Sequence, residues 1–388
     1  MANKIKFLDL TKQYKSIKKE IDVAIKKVLN NSNFILGKEV EEFEKEVAEF
    51  CGVKYAIGVN SGTDALFLSL KSLGTGPGNE VITTPFTFIA TAEVIANLGA
   101  KPVFVDIEPK TFNINPQKIA DKINQLKRLN RLKKLKAIIP VHLFGQMADM
   151  DEIMRIAKKY KLYIVEDAAQ AIGANQKFKI QNLKFKIRSA GSVGDCGCLS
   201  FFPAKNLGAY GDAGMVITNN EKLAEKIKLL RNHGSSPKEK YLNLVLGTSS
   251  RLDALQAAIL RVKLKYLSKW SRKRAEVASY YNKSLKGIGD IVTPFIAPKR
   301  NHIFHQYTIR TKYRDKLQKY LKENGIPTMI YYPLPLHLQP AFKYLNYKEG
   351  DFPETEKAAK EVLSLPVYPE LTQKQQNYIV RKIKEFYQ

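Results

Sequence analysis

The chain has 388 residues, of which 44% are hydrophobic and 26% are charged, and this balance excludes a largely disordered protein. Its length favours two structural domains over one. The 64 Lys and Arg residues outnumber the 37 Asp and Glu residues and give a formal net charge of +27. Such an excess attracts nucleic acids, anionic lipids or anionic small molecules, and it does not choose among them.

Cysteine usage and hydropathy indicate the compartment. Cys51, Cys196 and Cys198 are too few for a disulfide framework and lack the spacing of a zinc site, so we expect a reducing compartment and no metal. No run approaches the roughly 18 apolar residues of a membrane span. We therefore expect a cytoplasmic protein with no membrane partner.

Short apolar, β-branched runs alternate with helical patterns through the first half of the chain. Before the first run, Val40, Phe43, Val47 and Phe50 recur at helical spacing, and Gly52 is a plausible end for that helix. The alternation predicts an α/β fold with a mainly parallel sheet covered by helices. The predicted strands are 55–59, 81–84, 102–106, 137–142, 162–165, 198–202 and 214–218.

The pattern changes after residue 251. It predicts a long helix from Asp253 to about Trp270, strands near 304–311, and helices near 314–324 and 354–363. We therefore divide the chain into a large domain, 1–250, and a smaller α+β domain, 251–388. The polar segment 177–188 is predicted to be a loop or hairpin.

One lysine is placed unusually for a chain this basic. Lys205 follows an apolar strand on a short turn, and the residues from Cys198 to Gly214 include no other Lys or Arg. An amine without a neighbouring cation suits a Schiff-base lysine, which must react with an aldehyde. Taken alone, the pattern also fits a surface lysine on an ordinary loop.

Small and hydroxyl residues follow the first predicted strand and open a helix. Free backbone N–H groups at Ser61, Gly62 and Thr63 make a candidate phosphate cradle, and Ser200, five residues before Lys205, offers another hydroxyl. Simple N-capping by Ser61 or Thr63 explains the same pattern. The glycines at 74, 76 and 78 precede a strand, so we interpret them as a turn and not as a dinucleotide site.

An acidic pair, Glu166 and Asp167, ends the strand at 162–165, where ligands collect in open α/β sheets. Asp167 is the candidate for holding a pyridine nitrogen protonated, which pyridoxal phosphate requires to accept electrons. A helix cap is the alternative interpretation. Aromatic residues also follow the strand at 81–84, where a ring can stack on a flat ligand or pack in the core.

The order of these motifs closely resembles the sugar aminotransferases of the DegT family, which are fold-type I pyridoxal-phosphate enzymes. The likeness covers nearly the whole chain. Its motifs are Phe34-Ile35-Leu36-Gly37, Ser61-Gly62-Thr63, Thr87-Phe88, Pro140 to Gln146, Glu166 to Gln170, Ser200 to Gly208, Ser250 to Ala258, Tyr331 to Gln339 and Leu363 to Pro366.

The resemblance implies a role for each site residue. Lys205 would form the Schiff base and later move a proton, while Asp167 would pair with the ring nitrogen. The other cofactor contacts would be Gln170 at the ring hydroxyl side, Phe88 in preference to Phe86 on the ring face, and Ser61, Gly62, Thr63 and Ser200 at the phosphate. It also implies a homodimer with shared active sites that moves an amino group, usually from glutamate, to a nucleotide-linked keto-sugar in polysaccharide or glycan precursor biosynthesis.

Two features depart from the family pattern. Ser249 stands where the family usually has the Asn that reaches a partner's phosphate, and a hydroxyl has shorter reach. The basic stretch 127–136 looks longer than the usual connection, and we interpret it as an extended solvated helix.

The sugar pocket is less defined. The motif that includes His337 looks more like relatives acting at C3 of the sugar, and we take Tyr332 and His337 as candidate substrate contacts. His302, His305 and Tyr307 fit either the sugar pocket or packing in the small domain.

Two other functions compete with the aminotransferase. A sugar dehydratase on the same fold typically replaces the family lysine by histidine, and Lys205 argues against it. A nucleic-acid-binding or regulatory protein would use the positive charge. However, the sequence shows no helix-turn-helix, zinc finger or RNA-binding signature, so we expect no nucleic-acid partner.

Overall fold

A computed structural model describes residues 5–179 and 185–388 of the chain. Its strands are β1 Tyr55–Val59, β2 Glu80–Thr83, β3 Lys101–Phe104, β4 Leu135–Ile138, β5 Tyr163–Asp167, β6 Asn175–Lys179, β7 Phe185–Ser189, β8 Cys196–Ser200, β9 Gly214–Thr218, β10 Tyr307–Arg310 and β11 Val362–Leu365. Its α-helices are α1 Leu10–Asn31, α2 Lys38–Cys51, α3 Gly62–Ser72, α4 Ala90–Asn97, α5 Pro116–Arg128, α6 Met150–Tyr160, α7 Glu221–Leu230, α8 Ala254–Leu285, α9 Arg314–Glu323, α10 Pro353–Glu361 and α11 Gln373–Phe386.

The seven strands predicted in the first half of the chain form one sheet, in the order β1-β9-β8-β5-β4-β2-β3. Strands β3, β2, β4, β5 and β8 pair in parallel, and β9 runs antiparallel to both β8 and β1. The predicted α/β fold with a mainly parallel sheet is confirmed. Because the parallel strands share a direction, the residues that follow β2, β5 and β8 meet at one edge of the sheet.

Helices bury apolar faces on both sides of this sheet. On one side Val40, Phe43 and Val47 of α2 join residues of α5 and α6, and α2 ends before Gly52 in a left-handed conformation, as its sequence predicts. On the other side α3, α4 and α7 form a second layer. The predicted amphipathic helix before β1, which is α2, is thus part of the main core.

A separate core lies in the C-terminal part of the chain. It is formed by β10, β11, α9, α11 and the second half of α8. The first half of α8 packs in the main core instead, through residues such as Ala257 and Leu260, and Ile5 packs in the C-terminal core. The division at residue 250 therefore falls just before a helix that both cores share.

Several local predictions differ from the structure. The predicted helix at 253–270 continues to Leu285, and the predicted helix at 354–363 ends at Glu361. The residues after Glu361 form β11, because the buried run Val362–Leu365 pairs with β10. The sequence reading also missed α1, whose few buried apolar residues, Ile17 and Ile21 among them, are spaced between lysines.

Two polar segments had specific predictions. The segment 177–188, predicted to be a loop or hairpin, belongs to the antiparallel hairpin of β6 and β7; residues 180–184 lie outside the described residues. The basic stretch is not one extended helix, because α5 ends at Arg128 and a short 3-10 turn, Leu132–Lys134, leads into β4. Arg131 in this connection donates to Glu80, with Nη2 to Oε1 at 2.6 Å.

The three cysteines are buried free thiols. Within 5–179 and 185–388, no helix combines the length and the apolar character that crossing a bilayer requires.

Candidate active site

A cavity of about 630 Å³ opens at the edge of the sheet where β2, β5 and β8 end. The start of α3 forms one wall, and residues from the C-terminal part of the chain, including His305 and Tyr332, close the opposite side. The structure brings together here most of the residues singled out from the sequence: Ser61, Gly62, Thr63, Phe88, Asp167, Gln170, Ser200, Lys205 and Tyr332.

The first wall of the cavity is the N-terminus of α3. Ser61 is its N-cap and accepts a hydrogen bond from the N–H of Asp64 at 3.0 Å, so the capping interpretation is correct. Its hydroxyl hydrogen and the first backbone N–H groups of the helix remain available to an anion. A Cβ on Gly62 would lie 2.7 Å from Cβ of Ser200, so only glycine lets the helix approach the end of β8 this closely.

The acidic pair that ends β5 divides between two roles, because successive strand residues point to opposite faces. Glu166 is fully buried away from the cavity. It accepts hydrogen bonds from Nε2 of His142 at 2.7 Å and from the N–H groups of Val193 and Gly194, both at 2.7 Å. Glu166 therefore anchors the loop before β8.

Asp167 faces the cavity. Its Oδ2 accepts a hydrogen bond from the hydroxyl of Thr91 at 2.7 Å, and its Oδ1 accepts one from the N–H of Ala169 at 3.2 Å. Turns and not a helix follow Asp167, so the alternative of a helix cap does not hold. Two donors fix the carboxylate while its face toward the cavity stays free to accept another N–H.

Lys205 lies in a tight loop after β8. The N–H of Lys205 donates to the carbonyl of Phe202 at 2.8 Å, and the N–H of Ala209 closes the loop on the carbonyl of Phe201 at 2.7 Å. Burial lowers the pKa of the Lys205 ammonium group from 10.5 to about 8, against the opposing effect of the Asp167 carboxylate. The amine is therefore far more often neutral, and so nucleophilic, than an exposed lysine.

The two aromatic residues after β2 differ in exposure. Phe86 is fully buried against Phe112 and Phe144, whereas the Phe88 side chain is 56% exposed and lines the cavity. Its ring centroid lies 6.3 Å from that of Tyr332. Phe88 is therefore the ring that can cover a flat ligand.

Gln170 joins the two sides of the cavity. Its Oε1 accepts from the N–H of Phe144 at 2.8 Å, and its Nε2 donates to the hydroxyl of Tyr332 at 3.1 Å. A residue that follows β5 thereby holds a candidate substrate contact in the C-terminal part of the chain. Burial raises the pKa of Tyr332, so its hydroxyl stays protonated.

The histidines near residue 305 have different environments. His305 lines the cavity, with Nδ1 3.3 Å from Oδ1 of Asn206, and burial together with the nearby Lys205 ammonium holds its pKa well below the ordinary value. His302 instead stacks on Phe304, with ring centroids 4.1 Å apart, and Tyr307 packs in the C-terminal core. His305 is thus a neutral cavity residue.

Two predicted site residues lie outside this cavity. His337 is buried behind the segment that carries Tyr332, with Nε2 3.0 Å from Oε1 of Glu356 and its ring against Phe352. Its predicted contact with substrate is therefore not seen. Ser249 is exposed, accepts from Nη2 of Arg251 at 2.8 Å and does not line this cavity, so its predicted phosphate contact is not made within one chain.

Sequence reasoning missed Thr91, which holds Asp167, and Asn206, which holds His305. Thr91 stands in the first turn of α4, far along the chain from Asp167, and no local pattern marks it. Asn206 directly follows Lys205, so its position beside the reactive lysine was the available signal.

The chemistry of this donor set fits pyridoxal phosphate. A helix N-terminus faces one end of the cavity for a phosphate, Asp167 can accept from a pyridinium N–H, and Phe88 offers a ring face. Lys205 supplies the amine that an aldehyde requires.

Comparisons with known proteins agree with this geometry. The model of the DegT/DnrJ/EryC1/StrS aminotransferase family matches residues 15–384. A pleiotropic regulatory protein of Geobacillus stearothermophilus is 52% identical over 99% of this chain and 98% of the relative. The UDP-2-acetamido-2-deoxy-3-oxo-D-glucuronate aminotransferase of Pseudomonas aeruginosa is 44% identical over 95% of this chain and 96% of the relative.

A solved structure of a related protein agrees with this family. S. venezuelae DesV in complex with a ketimine intermediate superposes with a TM-score of 0.92 at 39% identity, over 99% of each chain. The predictions of an enzyme of this class and of its cofactor are confirmed. The chain therefore belongs to the DegT/DnrJ/EryC1/StrS aminotransferase family, whose cofactor is pyridoxal phosphate.

Proposed function

We propose that this aminotransferase moves an amino group from glutamate to C3 of a nucleotide-linked 3-keto-sugar. The observation that carries the proposal is the Lys205 amine, of lowered pKa, which shares one cavity with the Asp167 carboxylate and the N-terminus of α3. The choice of C3 is supported by several relatives that are named as aminotransferases or transaminases of UDP- or dTDP-linked 3-oxo- or 3-amino-sugars.

Pyridoxal phosphate, when bound, supplies the electron sink for amino transfer. The chain supplies the groups that hold it and move protons. Nζ of Lys205 can accept and return a proton near neutral pH, because burial brings its pKa to about 8. The Asp167 carboxylate, held by Thr91, would pair with the ring nitrogen of the bound cofactor, and the neutral His305 adds no competing charge.

The charge of the cavity supports a homodimer with shared active sites. Among the described residues that line it, Lys205 is the one lysine or arginine, beside the acids Asp167 and Asp212. A nucleotide diphosphate carries negative charge on both phosphates, and glutamate carries two carboxylates, so further cations are needed. We propose that a second copy supplies them.

The segment 232–251 of the second copy would supply these cations. Its cations include Lys238, Lys240 and Arg251, and it carries Ser249, the predicted phosphate contact. The same segment exposes large apolar side chains, with Leu246 88% exposed, which is typical of a surface covered in an assembly. Burial of this segment against another subunit would place Arg251 and Ser249 at the neighbouring cavity.

The test uses ¹⁵N-glutamate and a panel of UDP- and dTDP-linked 3-keto- and 4-keto-sugars. We expect mass spectrometry to find ¹⁵N in the sugar product at C3 and Lys205→Ala to abolish it. A deoxy-sugar without ¹⁵N would instead identify a dehydratase. Nitrogen at C4 would contradict the assigned carbon.

The wider role follows from the product. We propose that the amino-sugar enters polysaccharide or glycan precursor biosynthesis in the cytoplasm, where the three free cysteines would stay reduced. The regulatory alternative predicts tight, steeply salt-dependent binding to duplex DNA without amino transfer.

A further inference from the structure

Helix α8 carries two buried cations that the aminotransferase mechanism above does not use. Lys263 is 1% exposed and Arg274 is 4% exposed, and neither forms an ion pair with a carboxylate among the described residues. They stand 274 − 263 = 11 positions apart, which is about three helical turns, so both project from one face of α8.

Lys263 contacts the loop that carries Lys205. Its Nζ donates a hydrogen bond to the carbonyl of Gly208, three residues after Lys205, and lies 4.9 Å from the ring centroid of Tyr210. The backbone packs so closely at Gly208 that a Cβ there would lie 2.2 Å from the carbonyl oxygen of Pro203. The Lys263 ammonium group therefore hydrogen-bonds a tightly packed turn of the backbone.

Arg274 makes the corresponding contacts with the small-domain segment at the cavity. Its Nη1 donates to the carbonyl of Val367 at 2.7 Å and to that of Phe304 at 3.3 Å, directly before His305. Asn206 connects the two segments, because its Nδ2 donates to the carbonyl of Ile303 at 3.1 Å. Lys263 therefore fixes the loop that carries Lys205, and Arg274 fixes the segment that leads to His305.

Burial of a cation without a carboxylate partner is costly, and an apolar side chain of the same length would avoid most of that cost. Desolvation accordingly lowers the pKa of Lys263 from 10.5 to about 8, against the opposing effect of the Glu370 carboxylate, which forms no ion pair with either cation. Both cations donate to backbone carbonyls of segments that border the cavity. We infer that the buried charges hold those segments in place.

We propose that Lys263 is a positioning residue for Lys205, and that Arg274 holds the His305 segment in register with it. The proposal rests on the assigned role of Lys205 and goes beyond it. Without Lys263 the carbonyl of Gly208 loses its donor, and the loop gains freedom at the turn that aims Nζ of Lys205.

The test compares Lys263→Met, Lys263→Gln and the matched control Lys265→Met, which removes an exposed lysine from the same helix. For each holoprotein we would measure kcat, the pH midpoint of the visible absorbance of the cofactor–lysine bond, and the fraction of borohydride-fixed pyridoxyl label at position 205. Circular dichroism and the thermal midpoint would report folding.

We expect Lys263→Met to lower kcat on the order of 100-fold, as small displacements of a reacting group do. Its absorbance midpoint should differ from the parental value, because the loop no longer holds the Lys205 nitrogen in its position relative to the Asp167 carboxylate. Lys263→Gln, which keeps a donor for Gly208, should recover part of the loss, and Lys265→Met should match the parent.

A folded Lys263→Met protein with parental kcat, midpoint and labelling would overturn the proposal, as would an equal loss in Lys265→Met. If Lys263→Met does not fold, the same comparison is made with Lys263→Gln. The midpoint and the label need no sugar substrate, so failure of the sugar assignment would leave both readouts intact.

Discussion

Replacement of Lys205 by methionine should make the protein without cofactor more stable. Burial moves the pKa of Lys205 from 10.5 to about 8, a difference of 10.5 − 8 = 2.5. Each unit corresponds to about 1.4 kcal/mol, so the ammonium form opposes folding by up to about 3 kcal/mol. Methionine keeps the length and removes the charge, and partial exposure of the site reduces the expected gain to about 1–3 kcal/mol.

The gain should depend on pH in a defined direction. The pKa is depressed in the folded protein, so the folded state disfavours the protonated amine, and the penalty is complete below pH 8. Between pH 8 and 10.5 both states lose the proton and the penalty disappears. The advantage of Lys205→Met should therefore be largest at pH 7 and vanish near pH 11.

Urea unfolding of the cofactor-free proteins at several pH values measures this difference, with Lys265→Met as an exposed control that should match the parent. Lys205→Met should unfold at higher urea at pH 7 and converge with the parent at high pH. A variant no more stable than the parent at pH 7, or a gain independent of pH, would refute the placement of a desolvated amine at this position.

The remaining predictions concern the cradle, the buried acid and the subunit contact. Gly62→Ala should weaken cofactor binding in a fluorescence titration and cost about 1–3 kcal/mol by overpacking against Ser200, whereas Gly76→Ala, whose Cβ would meet nothing closer than 3.8 Å, should bind normally. Glu166→Gln should lower stability in urea by about 3 kcal/mol, because an amide cannot satisfy all the donors around it, while labelling of Lys205 persists; unchanged stability would contradict the anchoring role. Leu246→Asp should shift the protein toward monomer in sedimentation velocity and reduce activity with it, and an active monomer would exclude shared active sites.

The sheet and the reactive loop could be predicted because their signals are local. Apolar β-branched runs separated by helical periods define a parallel sheet, and the direction of such a sheet places the residues after β2, β5 and β8 at one edge. Glycine and hydroxyl residues at Ser61–Thr63 and the cation-free surroundings of Lys205 are readable without a structure. The family motifs then assigned a role to each.

Features that depend on distant contacts could not be predicted. Thr91 reaches Asp167 from α4, 76 residues away along the chain. Strand β11 forms only because its partner β10 lies more than 50 residues before it in the sequence. His337 shares a motif with Tyr332, and the fold buries one and exposes the other to the cavity. The basic connection 127–136 was predicted to be helical from its composition, but α5 ends at Arg128 and a short 3-10 turn, Leu132–Lys134, leads into β4.

The most direct test of the account is chemical. The holoprotein is reduced with borohydride and digested, and the peptide bearing the pyridoxyl group is identified by mass spectrometry. We expect the label at Lys205 alone, with none in Lys205→Ala. Label at Lys263 or at any other lysine, or no label at saturating pyridoxal phosphate, would contradict the assignment.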